Sequence, residues 1–160
     1  MTVDCLKCRE CGKEYPAEIR NTCEACFGPL EVVYDWDDVD VTTDEIEDGP
    51  ASIRRYVDLL PVENDESFAQ VDLGTGRNGL HRADNLADEL GVDEIYILND
   101  SVNPSFSFKD RVTAVAVARA IDFGVDAIGC ASTGNLASSV AAHAAKADLP
   151  AYIFIPDTIE

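Results

Sequence analysis

Two closely spaced pairs of cysteines near the N-terminus constrain the fold of this chain more than any other feature. Cys8 and Cys11 form one Cys-x2-Cys pair, and Cys23 and Cys26 form a second pair after eleven intervening residues. Each pair brings two thiolates together on a tight turn, and four thiolates suit a tetrahedral ion. Because protein sulfur would fill all four positions, the spacing predicts a structural zinc site rather than a catalytic one.

Two alternatives to metal binding stay open, namely a reduced cluster without metal and adventitious disulfides. Five of the six cysteines lie within the first 26 residues, and such clustering in an apparently cytosolic chain favours a metal. Cys5 forms an overlapping pair with Cys8, so the outer ligand is ambiguous. Gly12 and Gly28 follow the two pairs, and we expect both to adopt unusual backbone angles.

The net charge of the chain limits the classes of partner that it can bind. The formal net charge is -19, from 31 acidic and 12 basic residues, which argues against a nucleic acid or an anionic membrane as partner. The acids are spread along the chain, and arginine outnumbers lysine eight to four, a balance that suggests solubility in high salt and a halophilic source. No apolar run approaches membrane-spanning length and no signal peptide is evident, so we expect a cytoplasmic protein.

Composition divides the chain into three parts. Residues 1–34 form a cysteine-rich unit, the predicted zinc ribbon, which ends in a predicted strand at 29–34. Residues 35–50 are dominated by acids and are predicted to form a solvated linker, with Trp36 as a local anchor. Residues 51–160 alternate helical and extended patterns, which predicts an α/β fold with a parallel sheet covered on both faces.

The third part contains the predicted elements in alternation. We expect helices over 53–60, 82–90, 112–123 and 136–145, and strands over 95–98, 127–131 and 151–155. Gly91 is the predicted C-terminal stop of the second helix. The chain ends where a further helix is expected to begin, so we expect the fold to be truncated.

A lysine at the start of the longest predicted helix is the strongest chemical signal. Lys109 follows Asn-Pro-Ser-Phe-Ser-Phe and opens a mostly apolar helical segment. The macrodipole disfavours a cation at a helix N-terminus, and aromatic neighbours such as Phe108 disfavour it further. Both effects favour the neutral, nucleophilic amine that a Schiff base requires. The alternative is a surface lysine that extends its charge into water.

A second segment joins the predicted strand at 127–131 to the helix at 136–145. It reads Cys-Ala-Ser-Thr-Gly-Asn-Leu-Ala-Ser-Ser from Cys130 onward. Ser132 or Thr133 is expected to cap the helix, and free backbone N–H groups there suit an anion such as a carboxylate. The alternative is an ordinary strand-to-helix turn with a good N-cap.

Together the two segments resemble the cofactor region of fold-type II pyridoxal-phosphate enzymes. Within that group, Asn-Pro-Ser-Phe-Ser-Phe-Lys-Asp-Arg and Ala-Ser-Thr-Gly-Asn-Leu-Ala are most similar to the threonine synthase family. The run Cys-Phe-Gly-Pro-Leu-Glu-Val-Val-Tyr-Asp resembles the zinc-ribbon form of that family, common in archaea and cyanobacteria. The resemblance covers nearly the whole chain and implies part of a three-layer, tryptophan-synthase-β-like α/β architecture.

The resemblance also implies a role for each matched residue. Lys109 would bind pyridoxal 5'-phosphate as the Schiff-base lysine and later carry protons. Asn135 would hydrogen-bond the 3-oxygen of the pyridine ring, and Phe108 would pack near the cofactor. The substrate carboxylate would be held by Ser132, Thr133 and Gly134.

The implied reaction converts O-phosphohomoserine and water to threonine and phosphate. Related enzymes such as cysteate synthase or threonine dehydratase are alternatives, and a non-catalytic zinc-ribbon interaction fragment is another. The family's glycine-rich phosphate loop and the residue facing the pyridine nitrogen would lie beyond residue 160. We therefore expect the chain alone to bind the cofactor weakly and turn over poorly, and expect a homo-oligomer only of the full-length form.

Three other features are predicted to be without catalytic function. Gly74–Leu80 stands where the family has Gly-x-x-Thr-Pro-Leu, and its glycines are predicted to form a plain turn. His143 is expected to be a packed residue of an alanine-rich helix, and Cys130 a small apolar residue of a buried strand. His81 follows the atypical loop and could border the cleft.

Overall fold

The computed structural model describes residues 3–158, and its secondary structure is mixed α/β. The strands are β1 (Val3–Cys8), β2 (Glu14–Tyr15), β3 (Leu30–Tyr34), β4 (Leu80–Arg82), β5 (Tyr96–Leu98), β6 (Ile128–Ala131) and β7 (Ala151–Phe154). The α-helices are α1 (Thr43–Asp48), α2 (Asp65–Val71), α3 (Asp84–Leu90), α4 (Lys109–Asp122) and α5 (Asn135–Lys146). Short 3-10 helices cover Trp36–Asp38, Ile53–Leu59 and Asp100–Val102. No helix in this described part combines the length and apolar character that crossing a membrane requires.

The N-terminal unit is a three-stranded antiparallel sheet in the order β2-β1-β3. Leu6 of the central strand pairs with Tyr15 on one side and with Val32 on the other. Buried Cys8, Tyr15 and Cys23 form its small core. The strand predicted at 29–34 is therefore present as β3, and the sheet supports the cysteine-bearing turns.

The acidic segment after β3 is exposed but locally ordered. Trp36 begins a 3-10 helix, and its ring centroid lies 5.1 Å from that of Tyr34. In α1, the Thr42 hydroxyl accepts from the Glu45 amide at 3.3 Å, and the Glu45 carboxylate accepts from the Thr42 amide at 2.8 Å. This reciprocal capping box explains why a helix without buried residues forms in a segment that composition predicts to be a linker.

The core of the α/β body lies between α2, α4 and the segment around residue 53. Helix α2 was absent from the sequence prediction, since it is short and begins with two acids. Its N-terminus is capped by Asn64, whose side-chain oxygen accepts from the Ser67 amide at 2.9 Å. Phe68 and Val71 are its buried apolar residues, with exposures of 1% and 0%, and each buried side chain of this kind contributes about 1.5–3 kcal/mol. The buried core comprises Ile53, Val62, Phe68, Val71, Ala114, Val117 and Ala118.

The strands of the body form two separate pairs rather than one parallel sheet. β6 and β7 are parallel, as predicted, with Cys130 opposite Ile153. β4 and β5 are antiparallel, which corrects the prediction. Helix α3 between them has seven residues and ends at Gly91, whose φ of 66° is left-handed, so the chain reverses direction instead of crossing over. Residues 80–82 pair in this hairpin, so α3 begins at Asp84 and not at residue 82.

The strand predicted at 127–131 is present as β6, but the prediction that it is buried is wrong for the described residues. Only Cys130 of β6 is buried, with an exposure of 8%, and no residue of β7 is buried. Helix α5 packs against both strands of this pair. A two-stranded sheet with one helical neighbour leaves its other face accessible, which explains exposed Tyr152 and Phe154.

Candidate active site and cysteine cluster

Lys109 is the first residue of α4, at the helix N-terminus that the sequence predicts. Phe108 stands at the N-cap without a side-chain cap, and the Lys109 amide instead donates to the Ser107 hydroxyl at 3.2 Å. Ser107 is 4% exposed, so the backbone that carries the lysine is fixed from the buried side. The apolar residues of α4 pack into the core and orient the helix.

The Lys109 side chain is half-buried and lies beside an aromatic ring. Its Nζ is 4.8 Å from the centroid of the Phe108 ring, a cation–π distance. Phe108 and Phe106 are 57% and 80% exposed. The predicted aromatic neighbours are therefore present, but they border solvent instead of enclosing the amine, so a small molecule can reach it.

The Ser132–Asn135 turn lies at the carboxyl end of β6, immediately before α5. Gly134 is the N-cap of α5, and no side chain caps this helix in the described structure. The Ser132 hydroxyl accepts from the Gly134 amide at 3.3 Å. The prediction that Ser132 or Thr133 caps the helix is therefore wrong. The Ser132 hydroxyl bonds only to the Gly134 amide, which comes before the first residue of α5.

A cavity of about 480 Å³ adjoins this turn. Its position at the carboxyl ends of the parallel strands β6 and β7 is the usual location of ligand sites in such sheets. Its volume falls within the range of small-molecule sites. The lining residues are Ala131, Ser132, Thr133, Phe154, Ile155 and Pro156.

The structure brings the two predicted segments together. Asp110 directly follows Lys109, and its Oδ1 accepts from the Ser139 hydroxyl at 2.6 Å. Ser139 lies one helical turn after Asn135, so the two residues share a face of α5. The start of α4, which carries Lys109, therefore packs against the first turns of α5, which follow the Ser132–Asn135 turn.

His143 is fully buried, as predicted, but it is also a junction that the sequence analysis did not identify. Its Nδ1 lies 3.0 Å from the Ser139 carbonyl oxygen, and its Nε2 lies 3.1 Å from the Thr75 hydroxyl. Thr75 belongs to the loop predicted as a plain turn. The available signal was the spacing of four between Ser139 and His143, two polar residues on one face of an alanine-rich helix. His81, by contrast, is exposed in β4.

The four predicted metal ligands converge at the N-terminal sheet. The sulfur atoms of Cys8, Cys11, Cys23 and Cys26 all lie within 4.8 Å of one another. The Cys8–Cys26 and Cys11–Cys23 sulfur pairs are 3.5 and 3.6 Å apart, close to the ~3.8 Å expected around tetrahedral zinc. Cys5 is outside this group, which settles the ambiguity at the outer ligand. The cluster suggests a metal site.

The cysteine thiols of the cluster differ in pKa. A hydrogen bond from the Tyr15 hydroxyl, 3.1 Å from the Cys23 sulfur, is the main cause that lowers the pKa of Cys23 to about 6. The Gly28 amide lowers the pKa of Cys26, but hydrogen bonds with Cys8, Cys11 and Cys23 outweigh it and raise that pKa to about 12. Metal binding at this cluster therefore requires proton release.

The two glycines after the cysteine pairs differ in their roles. Gly12 has a left-handed φ of 73°, as predicted. Gly28 does not, and the left-handed residue at the second turn is Phe27, with φ 61°. A Cβ on Gly28 would lie 2.9 Å from the Cys8 sulfur and 2.7 Å from Cγ of Glu10. Gly28 is therefore required by the close approach of the ligands, which corrects the prediction.

A family model for pyridoxal-phosphate dependent enzymes matches residues 71–160, more than half of the chain. The chain belongs to this family. The match includes Lys109 and the whole Ser132–Asn135 turn, so both segments of the candidate site lie inside it. The cofactor of the family is pyridoxal phosphate.

Curated relatives narrow the comparison to threonine synthases. The threonine synthase of Methanosarcina acetivorans is 36% identical over 152 residues, which is 94% of this chain and 36% of that protein. That of Methanocaldococcus jannaschii is 39% identical over 154 residues, 94% of this chain and 37% of the relative. That of Bacillus sp. is 40% identical over 105 residues, 66% and 29% of the two chains. The chain is a threonine synthase homologue that spans about a third of these relatives.

Proposed function

We propose that this chain contributes the lysine-bearing part of a threonine synthase, which converts O-phosphohomoserine and water to threonine and phosphate. The observation that carries the proposal is the position of Lys109. It is the first residue of α4, accessible beside the Phe108 ring, and the next residue bonds to α5 one turn beyond Asn135. The similarity to curated threonine synthases supports the choice of substrate.

Three residues would hold the cofactor. The Lys109 amine would bind it covalently, the ring of Phe108 would pack near it, and the exposed amide of Asn135 would hydrogen-bond its 3-oxygen. The chain fits this assignment, since the amine and the amide belong to helix ends that are packed together. When bound, pyridoxal phosphate supplies an electron sink for carbanions at the substrate carbons.

The substrate carboxylate would bind at the Ser132–Gly134 turn. No side chain caps α5 in the described residues, so its first amides are available to an anion, which the helix dipole also favours. Ser132 and Thr133 line the adjoining cavity of about 480 Å³ and add hydroxyl groups. The Lys109 amine would move protons at the substrate carbons.

For the cysteine cluster we propose structural zinc. The four converging sulfur atoms would fill every position of a tetrahedral site and leave none for a substrate. The cluster belongs to the N-terminal sheet, whereas Lys109 belongs to the α/β body, so the metal would support folding and not chemistry.

Titration with pyridoxal phosphate tests the assignment of Lys109. We expect a visible absorption band with the parent chain and none with Lys109→Ala. Lys146→Ala is the matched control, because Lys146 is the last residue of α5 and lies outside the proposed site. A band that survives Lys109→Ala would contradict the proposal. Zinc uptake without any band would favour the alternative of a non-catalytic zinc-ribbon fragment.

Phosphate release tests the proposed substrate. With O-phosphohomoserine we expect slow release of phosphate and threonine in equal amounts, lost together in Lys109→Ala. Cysteate synthase and threonine dehydratase are the alternatives from the same group. Turnover of phosphoserine or of threonine alone, with none of O-phosphohomoserine, would contradict the proposed reaction and favour those enzymes.

A further inference from the structure

A buried polar cluster lies under the candidate site, between α4, α5 and the loop that carries Thr75. Its members are Asp110, Ser139, His143 and Thr75, and each has an exposure of 0%. Buried polar side chains reduce stability unless they are hydrogen-bonded. The cluster satisfies this condition through its own members and through Ser105, at its edge.

The Asp110 carboxylate is the centre of the polar cluster. Its Oδ1 accepts from the hydroxyl groups of Ser105 and Ser139, both at 2.6 Å. Its Oδ2 accepts from the Ser105 amide at 2.7 Å. Nδ1 of His143 is 3.8 Å from Oδ1. A single carboxylate therefore holds the segment before Lys109 and the second turn of α5 at the same time.

His143 extends this connection to the Thr75 loop. A carbonyl oxygen can only accept, so Nδ1 donates to the Ser139 carbonyl, and Nε2 shares a hydrogen bond with the Thr75 hydroxyl. The ring is fixed at both nitrogens. The loop at residue 75 and α5 are thus joined behind the candidate site.

The Ser105–Asp110 bonds also close a strained turn. Phe106 has a left-handed φ of 60°, a conformation that is strained in a residue other than glycine. Its amide donates to the Asn103 carbonyl at 2.8 Å. The Asp110 carboxylate, by binding both the amide and the hydroxyl of Ser105, opposes the relaxation of this turn and fixes the direction in which the chain enters α4.

We propose that Asp110 is a positioning residue, whose carboxylate sets the placement of Lys109 relative to the Ser132–Asn135 turn. Core stability alone does not require this carboxylate, because well-packed apolar side chains often replace buried ionic groups without loss. Both carboxylate oxygens are used, since the Ser105 amide, the Ser105 hydroxyl and the Ser139 hydroxyl all donate to Asp110, and an apolar side chain would lose all three bonds. The inference rests on the proposed function, since the placement of Lys109 matters for the reaction of its amine.

Lysine labelling measures this placement in the full 160-residue chain. The chain is treated with pyridoxal phosphate and borohydride, and mass spectrometry gives the share of label at Lys109 against Lys7, Lys13 and Lys146. In Asp110→Asn and in Ser139→Ala we expect the share at Lys109 to fall about tenfold, the population change expected when a buried charge-assisted hydrogen bond is lost.

Asp122→Asn is the matched control. Asp122 lies at the other end of α4, its side chain has an exposure of 0%, and its Oδ2 accepts from the Glu63 amide at 2.7 Å. The same substitution there removes a buried carboxylate from the same helix. We expect lower stability without any change in the labelling share, so the comparison separates positioning from a general loss of stability.

Amide hydrogen exchange gives a second readout that does not depend on the cofactor. We expect Asp110→Asn to increase exchange about tenfold at Ser105 and in the first turns of α4 and α5, and Asp122→Asn to leave these amides unchanged. No preference for Lys109 in the parent chain would overturn the proposed function alone. Unchanged exchange, or an unchanged share at a labelled Lys109, in Asp110→Asn would overturn the inference about Asp110.

Discussion

Asp100 organises the segment before Lys109 through a partly exposed carboxylate. Its Oδ1 accepts from Nη2 of Arg111 at 2.8 Å and from the Asn103 side-chain amide at 3.1 Å, and it also accepts from Asn78. The bond from Arg111 is the main cause that lowers the pKa of Asp100, and the bonds from Asn103 and Asn78 add to it. The ionised carboxylate therefore stabilises the fold, while the protonated form does not.

Asp100→Asn should lower stability by about 1–2 kcal/mol at neutral pH, since charged hydrogen bonds are lost. Because the pKa is lower in the folded state, the parent keeps this contribution above about pH 4 and loses it as the pH falls through the folded pKa. Urea unfolding from neutral to acid pH should thus show a smaller acid dependence in Asp100→Asn. Asp126→Asn, at an exposed carboxylate, is the control. Equal acid dependence in parent and variant would contradict the prediction.

Tyr15 supports the cysteine cluster through its hydroxyl group. The hydroxyl lies 3.1 Å from the Cys23 sulfur and accepts from the Glu24 amide at 3.0 Å, while the guanidinium of Arg20 stacks 4.4 Å from the ring centroid. Tyr15→Phe removes the hydrogen bond but keeps a ring for Arg20. We expect zinc affinity to fall about 10–100-fold, as for other outer-shell partners of metal ligands. Competition with a chromogenic chelator measures it, and unchanged affinity would argue against this role.

At the scale of elements, the loop before β4 depends on two left-handed glycines with different surroundings. Gly74 and Gly76 both have φ 81°. A Cβ on Gly76 would lie 2.3 Å from Cγ2 of Ile53, whereas a Cβ on Gly74 meets nothing within 4 Å. The Ile53 amide also donates to the Thr75 carbonyl at 2.8 Å, so the loop is packed against the core and is more than a plain turn.

Gly76→Ala should therefore destabilise the chain by about 2–4 kcal/mol, through both backbone strain and overpacking. Gly74→Ala has the same backbone strain without the clash, and we expect a loss of about 1–2 kcal/mol. Denaturant unfolding of the two variants measures the difference. Equal losses would show that the contact with Ile53 relaxes easily.

Elements with a strong local signal were predictable, and those that depend on distant contacts were not. The helix N-terminus at Lys109, the left-handed stop at Gly91 and the strand β3 agree with the sequence pattern, although α4 begins three residues before the predicted segment 112–123. Helix α2 was not predicted, because Phe68 and Val71 can be recognised as core residues only from their packing against α4. The β4–β5 direction and the exposure of β6 also depend on which strands become neighbours, which local pattern does not encode.

The candidate site divides in the same way. The convergence of the four cysteines was predictable because metal geometry imposes both residue type and spacing. The position of Lys109 at a helix N-terminus was predictable from the apolar helical pattern that follows it, and its role as the Schiff-base lysine stays a prediction. The contact between His143 and Thr75 joins residues 68 positions apart. The N-cap of α5 is Gly134, one residue after the predicted cap Thr133. Neither feature leaves a periodic signal in the sequence.

At the scale of the whole molecule, Arg119 connects the N-terminal sheet to the α/β body. Its Nη2 donates to the Ala17 carbonyl at 3.5 Å, and its Nη1 pairs with Glu63 at 2.9 Å and with Asp122 at 3.3 Å. An apolar cavity of about 570 Å³ is lined by residues of both parts. The contact is thus narrow, and the N-terminal core is only three buried residues.

Metal removal should therefore unfold the N-terminal sheet and leave the body folded. So small a core would depend on the proposed metal, whereas every α-helix of residues 3–158 lies at or after residue 43. We expect a chelator to increase exchange in β1 and β3 with little change in the helical circular dichroism signal. Loss of the helical signal in the same transition would contradict this independence and would assign a larger role to the Arg119 contact.

The contact between Trp36 and Tyr34 has a practical consequence for such experiments. Trp36 is the only tryptophan, it lies two residues after the end of β3, and its ring is tilted by 34° against that of Tyr34. Selectively excited fluorescence will therefore follow the N-terminal sheet alone, while the far-ultraviolet spectrum follows the helices. The chain carries a natural optical label at one end, so the two unfolding events can be recorded separately without attaching any dye.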